Sequence, residues 1–328
     1  MINLSNNLWS EYFRLNTVDS SDLWSSDREL TTSQVYEVAG QVIQDEERKV
    51  VYLGSGWRND VYALNNQWIL RFPRRKDVIS NLEKEVHISS VLVSAVAETG
   101  ILVPDVKLIT PDPSVGFPYP IGIYPMLKGV SAGIIPIPEM DWTHVIHKTA
   151  DFLSAIHSIP TNHFEGFDLP IQRSSEFDGW ISEKEKISTY LRSQNSKALD
   201  EAAEWLDSCE PLAPFSGDLC FVHNDLTPEN ILLNPEKRTV AGVIDWEDGA
   251  FGDPVSDFVT LPFWIGWENT FKVCDSYSLA IDDTFLSRLE HKSKLASVSW
   301  LYYEVQRSDD LSSYFSYVEN VWNISHSL

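Results

Sequence analysis

Four residues in one segment have the types and spacing that phosphoryl transfer needs. Asp225 follows His223 by two positions, Asn230 follows Asp225 by five, and Asp245 follows Asn230 by fifteen. In such a reaction a carboxylate orients the attacking hydroxyl and accepts its proton. Two hard oxygen ligands hold Mg²⁺ against the nucleotide phosphates. Asp225 suits the first task, and Asn230 with Asp245 suits the second. Polar residues of these types also cap ordinary turns. What separates the two readings is the agreement in order and spacing of several separate pieces.

The chain around these residues explains how they meet. Ile231, Leu232 and Leu233 read as a short buried strand, and residues 234–237 read as a turn. The apolar run 240–244 is a second strand that ends on Asp245. A loop therefore feeds a hairpin, and the hairpin returns its far end beside the loop. That path brings Asp225, Asn230 and Asp245 to one point.

The pattern H-x-D-x-x-x-x-N, followed by a strand and Ile-Asp, is that of kinase catalytic segments. Its form here, HNDLTPENIL and then VIDWEDGAFGDPVSDF, resembles the aminoglycoside and macrolide antibiotic phosphotransferases. The runs LRFPRR and IYPMLKGVSAG look closest to the macrolide members. The motifs extend over about residues 31–260. The resemblance implies an α+β, protein-kinase-like fold of two lobes. A β-sheet N-lobe with one main helix would span 31–127, and a larger, mostly helical C-lobe 128–328. Residues 1–30 form an N-terminal extension, with one short helix expected near 8–15 and no legible role.

The N-lobe then has definite expectations. A helix is expected through Val35, Val38, Ala39 and Val42, capped near Thr31. A strand at 49–53 leads into Gly54-Ser55-Gly56, and Val61 resumes a strand. Glycines let backbone N–H groups approach phosphates, although a plain hairpin has the same look. No P-loop motif occurs, and Asp60 or Val61 stands where a third glycine would complete G-x-G-x-x-G. After a turn at Asn65-Asn66, the strand through Trp68 and Phe72 carries Arg71 where kinases place a phosphate-holding lysine. The guanidinium keeps the charge and can grip phosphate and carboxylate together. Its expected partner on a helix at 81–96 is Glu85, with Glu83 as the alternative. Arg74, Arg75 and Lys76 extend the basic run or form an exposed turn. The resemblance places the nucleotide base against the backbone of Tyr124, Pro125, Met126 and Leu127. It gives Asp257 and His223 supporting roles around the catalytic loop, with Asp257 expected to open an apolar helix. Glu247 and Asp248 either assist a second metal ion or sit solvated near a turn. His157, ending an amphipathic helix, reads as structural.

Composition narrows the class. Hydrophobic residues make up 43% and charged residues 22% of 328, which suits a globular chain of two lobes. The net charge is −23. It is concentrated after residue 127, where fourteen basic residues face thirty-two acidic ones. Such a field repels nucleic acid and draws cations. Three scattered cysteines without a C-x-x-C pair argue against zinc and against a disulfide framework. No signal peptide and no apolar run of membrane-spanning length is visible. A cytoplasmic monomer that contacts no membrane is expected.

The expected activity is transfer of the γ-phosphoryl group of ATP or GTP, with Mg²⁺, to a hydroxyl of a cationic antibiotic. Aromatic residues crowd 261–328, among them Phe263, Trp264, Trp267 and Trp300. They are commonly core, yet together they leave room for an apolar pocket rimmed by Glu268, Asp275 and Asp282. This tips the expectation toward a macrolide. An aminoglycoside, a metabolic kinase of the choline or sugar type, and a nucleotide-binding scaffold without catalysis remain alternatives.

Overall fold

The structure is a computed structural model. It describes residues 25–43, 47–133, 140–172, 181, 183–194, 196–234, 236, 238–307 and 321–322. The short helix expected at 8–15 lies outside these residues.

Helix α1 (Thr32–Val42) starts in a capping box, with Thr31 and Gln34 each satisfying the other's backbone N–H. Its Val35, Val38 and Ala39 are fully buried against Leu64, Leu70, Phe72 and Ile121 of a sheet. The sheet is antiparallel, in the order β1 (Val50–Ser55), β2 (Asn59–Leu64), β3 (Trp68–Pro73), β5 (Ile121–Pro125), β4 (Lys107–Ile109). Asn65 and Asn66 join β2 to β3 at φ 54° and 52°. Asparagine tolerates that left-handed region better than other side chains with a Cβ. Asp27 accepts hydrogen bonds from the Lys76 amide (2.8 Å) and the Tyr119 hydroxyl (2.7 Å). Arg28 stacks over the Phe117 ring at 3.8 Å. The end of the N-terminal extension is thus fastened beside the ends of the central strands β3 and β5.

Helix α2 (Ile79–Ala95) buries Leu82, Glu85, Ile88, Ser89 and Leu92, a stripe at helical spacing. Glu85 lies on that stripe and Glu83 does not. A carboxylate on a buried stripe demands a partner. The other face of the sheet (Ala63, Ile69, Val106, Tyr124) forms a small second cluster.

The largest cluster joins α2 to the helical body. That body contains α3 (Trp142–His157), α4 (Lys184–Arg192), α5 (Lys197–Ser208), α6 (Leu261–Ser276) and α7 (Phe285–Arg307). Two small sheets sit among them. β7 (Cys220–Val222) pairs with β10 (Ala250–Gly252), and β6 (Val130–Ser131), β8 (Ile231–Asn234) and β9 (Thr239–Val243) form the other. The β8–β9 hairpin is the one expected between Asn230 and Asp245. Asp257 ends a single 3₁₀ turn (Pro254–Asp257) rather than opening a helix, and α6 begins later, at Leu261. Phe263, Trp264, Trp267 and Trp300 are core residues. Among the described residues no helix is long and apolar enough to cross a membrane.

Candidate active site

The loop after β7 is held from below. Asp257 is fully buried, and its carboxylate accepts from the amides of His223 and Asn224, each at 2.8 Å. Asn224 has φ 65°, in the left-handed region that asparagine tolerates, and two charge-assisted hydrogen bonds on consecutive amides maintain it. Asp257 also meets His157 Nε2 at 3.0 Å, and His157 Nδ1 meets the Tyr277 hydroxyl at 2.8 Å. His157 is therefore part of the brace, as its helix-end position suggested. His223 is enclosed too. The Asp225 amide donates to its Nδ1 (3.2 Å), which leaves the proton on Nε2 to donate to the Ile244 carbonyl (3.0 Å). Burial lowers its pKa, in keeping with a neutral ring.

On this support, Asn230 Nδ2 donates to the Asp225 carbonyl (2.9 Å) and to Asp225 Oδ2 (3.0 Å). Asp225 Oδ1 is buried and has no hydrogen-bond partner. The Ile244 amide donates to the Asn230 carbonyl (2.9 Å), so the far end of the hairpin is stitched to the loop. Asp245 follows at φ 68°. The three residues singled out for their spacing do come together.

Arg71 reaches this point from β3. Its guanidinium lies 2.6 Å from Glu85 and 3.3 Å from Asp245, and it also pairs with Glu247. Glu85 accepts the Trp246 amide with its other oxygen (3.2 Å). Of the two helix acids weighed as partners, the geometry selects Glu85. The glycine turn adds a second guanidinium. Arg58 grips Asp248 in a fork at 2.9 and 3.0 Å and touches Glu247 at 3.2 Å, and Asn59 donates to Glu247 at 2.8 Å. Glu247 and Asp248 are almost completely buried, which removes the solvated-turn alternative of the two weighed for them. Arg58 and Asn59 were not anticipated as site residues. Their partners lie almost two hundred residues away, and nothing local in the sequence marks them.

The charges do not balance. Arg58 and Arg71 face Glu85, Asp225, Asp245, Glu247 and Asp248. Burial works to lower the pKa of Arg71, but Glu247, Glu85 and Asp245 together hold it well above its ordinary value. Burial pushes Glu85 up to about 8 despite Arg71, and Asp245 up to about 6. Burial, then Asp248 and Asp245, raises Asp225 well above the carboxylate range. The cation is oversupplied with partners and the acids are undersupplied, because one guanidinium serves three carboxylates. A divalent cation suits such a site. Among the described residues no group of three or more His, Cys, Asp or Glu could hold a metal alone. Magnesium held on phosphates needs only one or two protein oxygens, and Asn230 Oδ1 and the Asp245 carboxylate are of the right type.

The remaining expected residues are placed as follows. Gly54 and Ser55 lie within β1, and the Ser55 hydroxyl bonds to Asp60. Gly56 opens the turn, and its amide donates to the Asn59 carbonyl (2.9 Å). Tyr124 is buried under the sheet, and Pro125 has no N–H. The Met126 amide donates to the Gln67 carbonyl (2.7 Å), so it is committed to the chain itself. Among the described residues the Leu127 amide has no such partner. Arg74 and Arg75 pair with Asp60 and Asp77 and form the outer turn.

A five-stranded sheet with a buried Arg–Glu pair, set on a helical body that presents Asp225, Asn230 and Asp245, defines a protein-kinase-like phosphotransferase. The model of the phosphotransferase enzyme family (APH) matches residues 49–285, and the chain belongs to that family. The uncharacterized protein YcbJ of Bacillus subtilis (strain 168) is 26% identical over 246 residues, 70% of this chain and 73% of its own length. Acyl-CoA dehydrogenase family member 11 of Rattus norvegicus is 26% identical over 199 residues, 54% of this chain and a quarter of its own length. Among solved structures, the GDP complex of wild-type aminoglycoside 2'-phosphotransferase-IIIa aligns with a TM-score of 0.65 at 20% identity. That alignment covers 89% of this chain and 99% of the other. Macrolide 2'-phosphotransferase type I aligns at 0.56 and 18% identity, covering 90% and 97%.

Proposed function

We propose that the protein transfers the γ-phosphoryl group of ATP or GTP to a hydroxyl of a macrolide antibiotic and so inactivates it. The observation that carries the transfer is the convergence of Asp225, Asn230 and Asp245, with Asp225 Oδ1 buried and unpartnered. Asp225 aligns the hydroxyl and takes its proton. The hydroxyl oxygen bonds to the γ-phosphorus as the bond from that phosphorus to the β–γ bridging oxygen breaks, and the nucleoside diphosphate leaves. Asn230 and Asp245 hold Mg²⁺, which supplies charge neutralisation on the phosphates. Arg71, steadied by Glu85, places the phosphates from the sheet side. Most of the catalysis is positioning and charge. Residues 31–127 serve as the nucleotide lobe, with the base at 124–127, and 128–328 as the catalytic and acceptor lobe. The enzyme works as a monomer in the cytoplasm.

Two features support a macrolide acceptor. Helix α6, whose first turns carry the buried Phe263, Trp264 and Trp267, packs against the Pro228–Asn230 turn, so the ground beside the catalytic loop is apolar. The buried indole N–H of Trp264 has no partner. Of the rim acids, Glu268 is paired with Lys272 (2.6 Å) and Asp282 with Arg288 (2.8 Å). An apolar ring with one amine fits apolar ground with paired acids better than a polyamine sugar does. The net charge of −23 favours the second reading, an aminoglycoside acceptor.

The test is transfer from labelled ATP and GTP, with Mg²⁺, to a matched panel of macrolides and aminoglycosides. Product on macrolides alone supports the proposal. Product on aminoglycosides alone moves the acceptor to the second reading. Nucleotide binding without product on either class removes the antibiotic and points to a metabolic acceptor or a scaffold.

A further inference from the structure

The turn between β1 and β2 is planted in the catalytic body by three successive side chains. Trp57 is almost fully buried and belongs to the large hydrophobic cluster that joins α2 to the helical body. Arg58 is also buried and forks onto Asp248 while touching Glu247. Asn59 donates to the remaining oxygen of Glu247. From the other side, the Arg58 carbonyl accepts from the Arg74 amide (2.8 Å), and the Trp57 carbonyl accepts from Arg75 (3.1 Å). A flap that opens and closes over a nucleotide needs few anchors. This turn has anchors on both sides.

The other end of these contacts is the segment after Asp245. Asp245 has φ 68°, a conformation costly for a residue with a Cβ and kept only where its surroundings impose it. The imposing groups come from the sheet and α2. Glu85 holds the Trp246 amide, Arg71 and Asn59 hold Glu247, and Arg58 holds Asp248. Three consecutive residues after Asp245 are thus each tied to the sheet or to α2.

We propose that Arg58 is a positioning residue that, with Asn59, locks the β1–β2 turn to residues 247–248 and thereby fixes the direction of the Asp245 carboxylate. The turn is a strut rather than a lid. The effect of Arg58 on the reaction passes through Asp245, and the proposal rests on the assignment of Asp245 as the metal-holding residue. A displacement of about 1 Å at a reacting centre lowers a rate on the order of 100-fold.

The experiment compares wild type with Arg58→Gln, Arg58→Lys and Asp248→Asn by amide hydrogen exchange, without nucleotide or metal. Asp248→Asn keeps the size of the side chain and guards against a variant that fails to fold. Expected is faster exchange at 244–249 in Arg58→Gln and Asp248→Asn, with β9 and α3 unchanged. Lysine cannot form the fork and restores protection only in part. On the loaded enzyme, the same variants need at least tenfold more Mg²⁺ for half-maximal turnover and lose about 100-fold in kcat. Nucleotide affinity without metal stays within about threefold, as Arg58 acts through Asp245 rather than on the phosphates. Unchanged exchange at 244–249 in both Arg58→Gln and Asp248→Asn overturns the proposal. So does a lower melting temperature with the Mg²⁺ requirement and kcat of the folded fraction at wild-type values. The exchange measurement does not depend on phosphotransfer, so loss of the function assigned above leaves it standing as a separate result.

Discussion

Replacing Asp225 with asparagine is expected to make the protein more stable and nearly inactive. The two side chains have the same shape, and the amide oxygen of the Asp225→Asn variant can still accept from Asn230 Nδ2, which lies 3.0 Å from Asp225 Oδ2. What changes is the charge. Asp225 is buried with Oδ1 unpartnered, and Asp248 and Asp245 stand near enough to raise its pKa further. An unsatisfied buried group costs about 1–3 kcal/mol, and more when it is charged. Removing the charge therefore stabilises the free protein by roughly 1–3 kcal/mol. For a chain of this size that is a rise in melting temperature on the order of 5 °C. The sign depends on pH. A carboxyl whose folded pKa is raised adds stability below its unfolded value, and that stability is lost as pH rises through the folded value. The wild type therefore weakens with rising pH more than the variant, which lacks this one titration, and the gap is widest on the alkaline side. Activity moves the other way, since loss of a general base costs about 10²–10⁴-fold. The assays are thermal denaturation from about pH 5 to about pH 9, a range that brackets the ordinary carboxylate pKa and its raised values, and turnover with Mg-nucleotide. A variant that melts below wild type at the alkaline end, or keeps wild-type turnover, refutes the reasoning.

Arg71→Met strips the cation from Glu85, Asp245 and Glu247 and is expected to cost about 3–5 kcal/mol, the usual loss when one partner of a buried ion pair goes. The melting temperature falls by about 10 °C, and Arg71→Lys recovers only part because an ammonium lacks the fork. Asp257→Ala leaves the His223 and Asn224 amides without their acceptor and is expected to cost about 3 kcal/mol or more, seen by denaturation and as early proteolysis near residue 224. In the free protein, Glu85 at about 8 and Asp245 at about 6 also hold protons in the folded state. The melting temperature should therefore fall as pH rises from about 4, the ordinary carboxylate range, toward about 8, where the folded Glu85 titrates. Saturating Mg-nucleotide should flatten that slope, and an identical slope with and without ligand would falsify the charge-imbalance reading.

Much of this site was legible because its parts are local. His223, Asp225 and Asn230 lie within one loop, and a single hairpin returns Asp245 to it, so spacing along the chain nearly dictates distance in space. Glu85 was legible for a related reason. It stands at helical spacing among Leu82, Ile88 and Leu92, where a carboxylate has to find a cation. Asp257, a short way past the hairpin, was recognisable as a brace through the motif that carries it, although its helix proved to be a 3₁₀ turn.

Glu247 and Asp248 stayed undecided in the sequence because their environment comes from elsewhere. Two adjacent acids beside a glycine fit a solvated turn as well as a metal-assisting role until Arg58, Asn59 and Arg71 are seen to cover them. The Met126 amide, one of those expected to face the nucleotide base, is already used by Gln67, a commitment that spacing along the chain does not show. Sequence alone determined which side chains meet at the loop, namely a buried aspartate, an asparagine and a second aspartate, since these follow from residue type and short-range spacing. Tertiary structure decided which acids are buried, which guanidinium serves which carboxylate, and what holds Asp245 at positive φ. Those depend on desolvation and on contacts between segments up to 190 residues apart, and neither leaves a periodic signal in the chain.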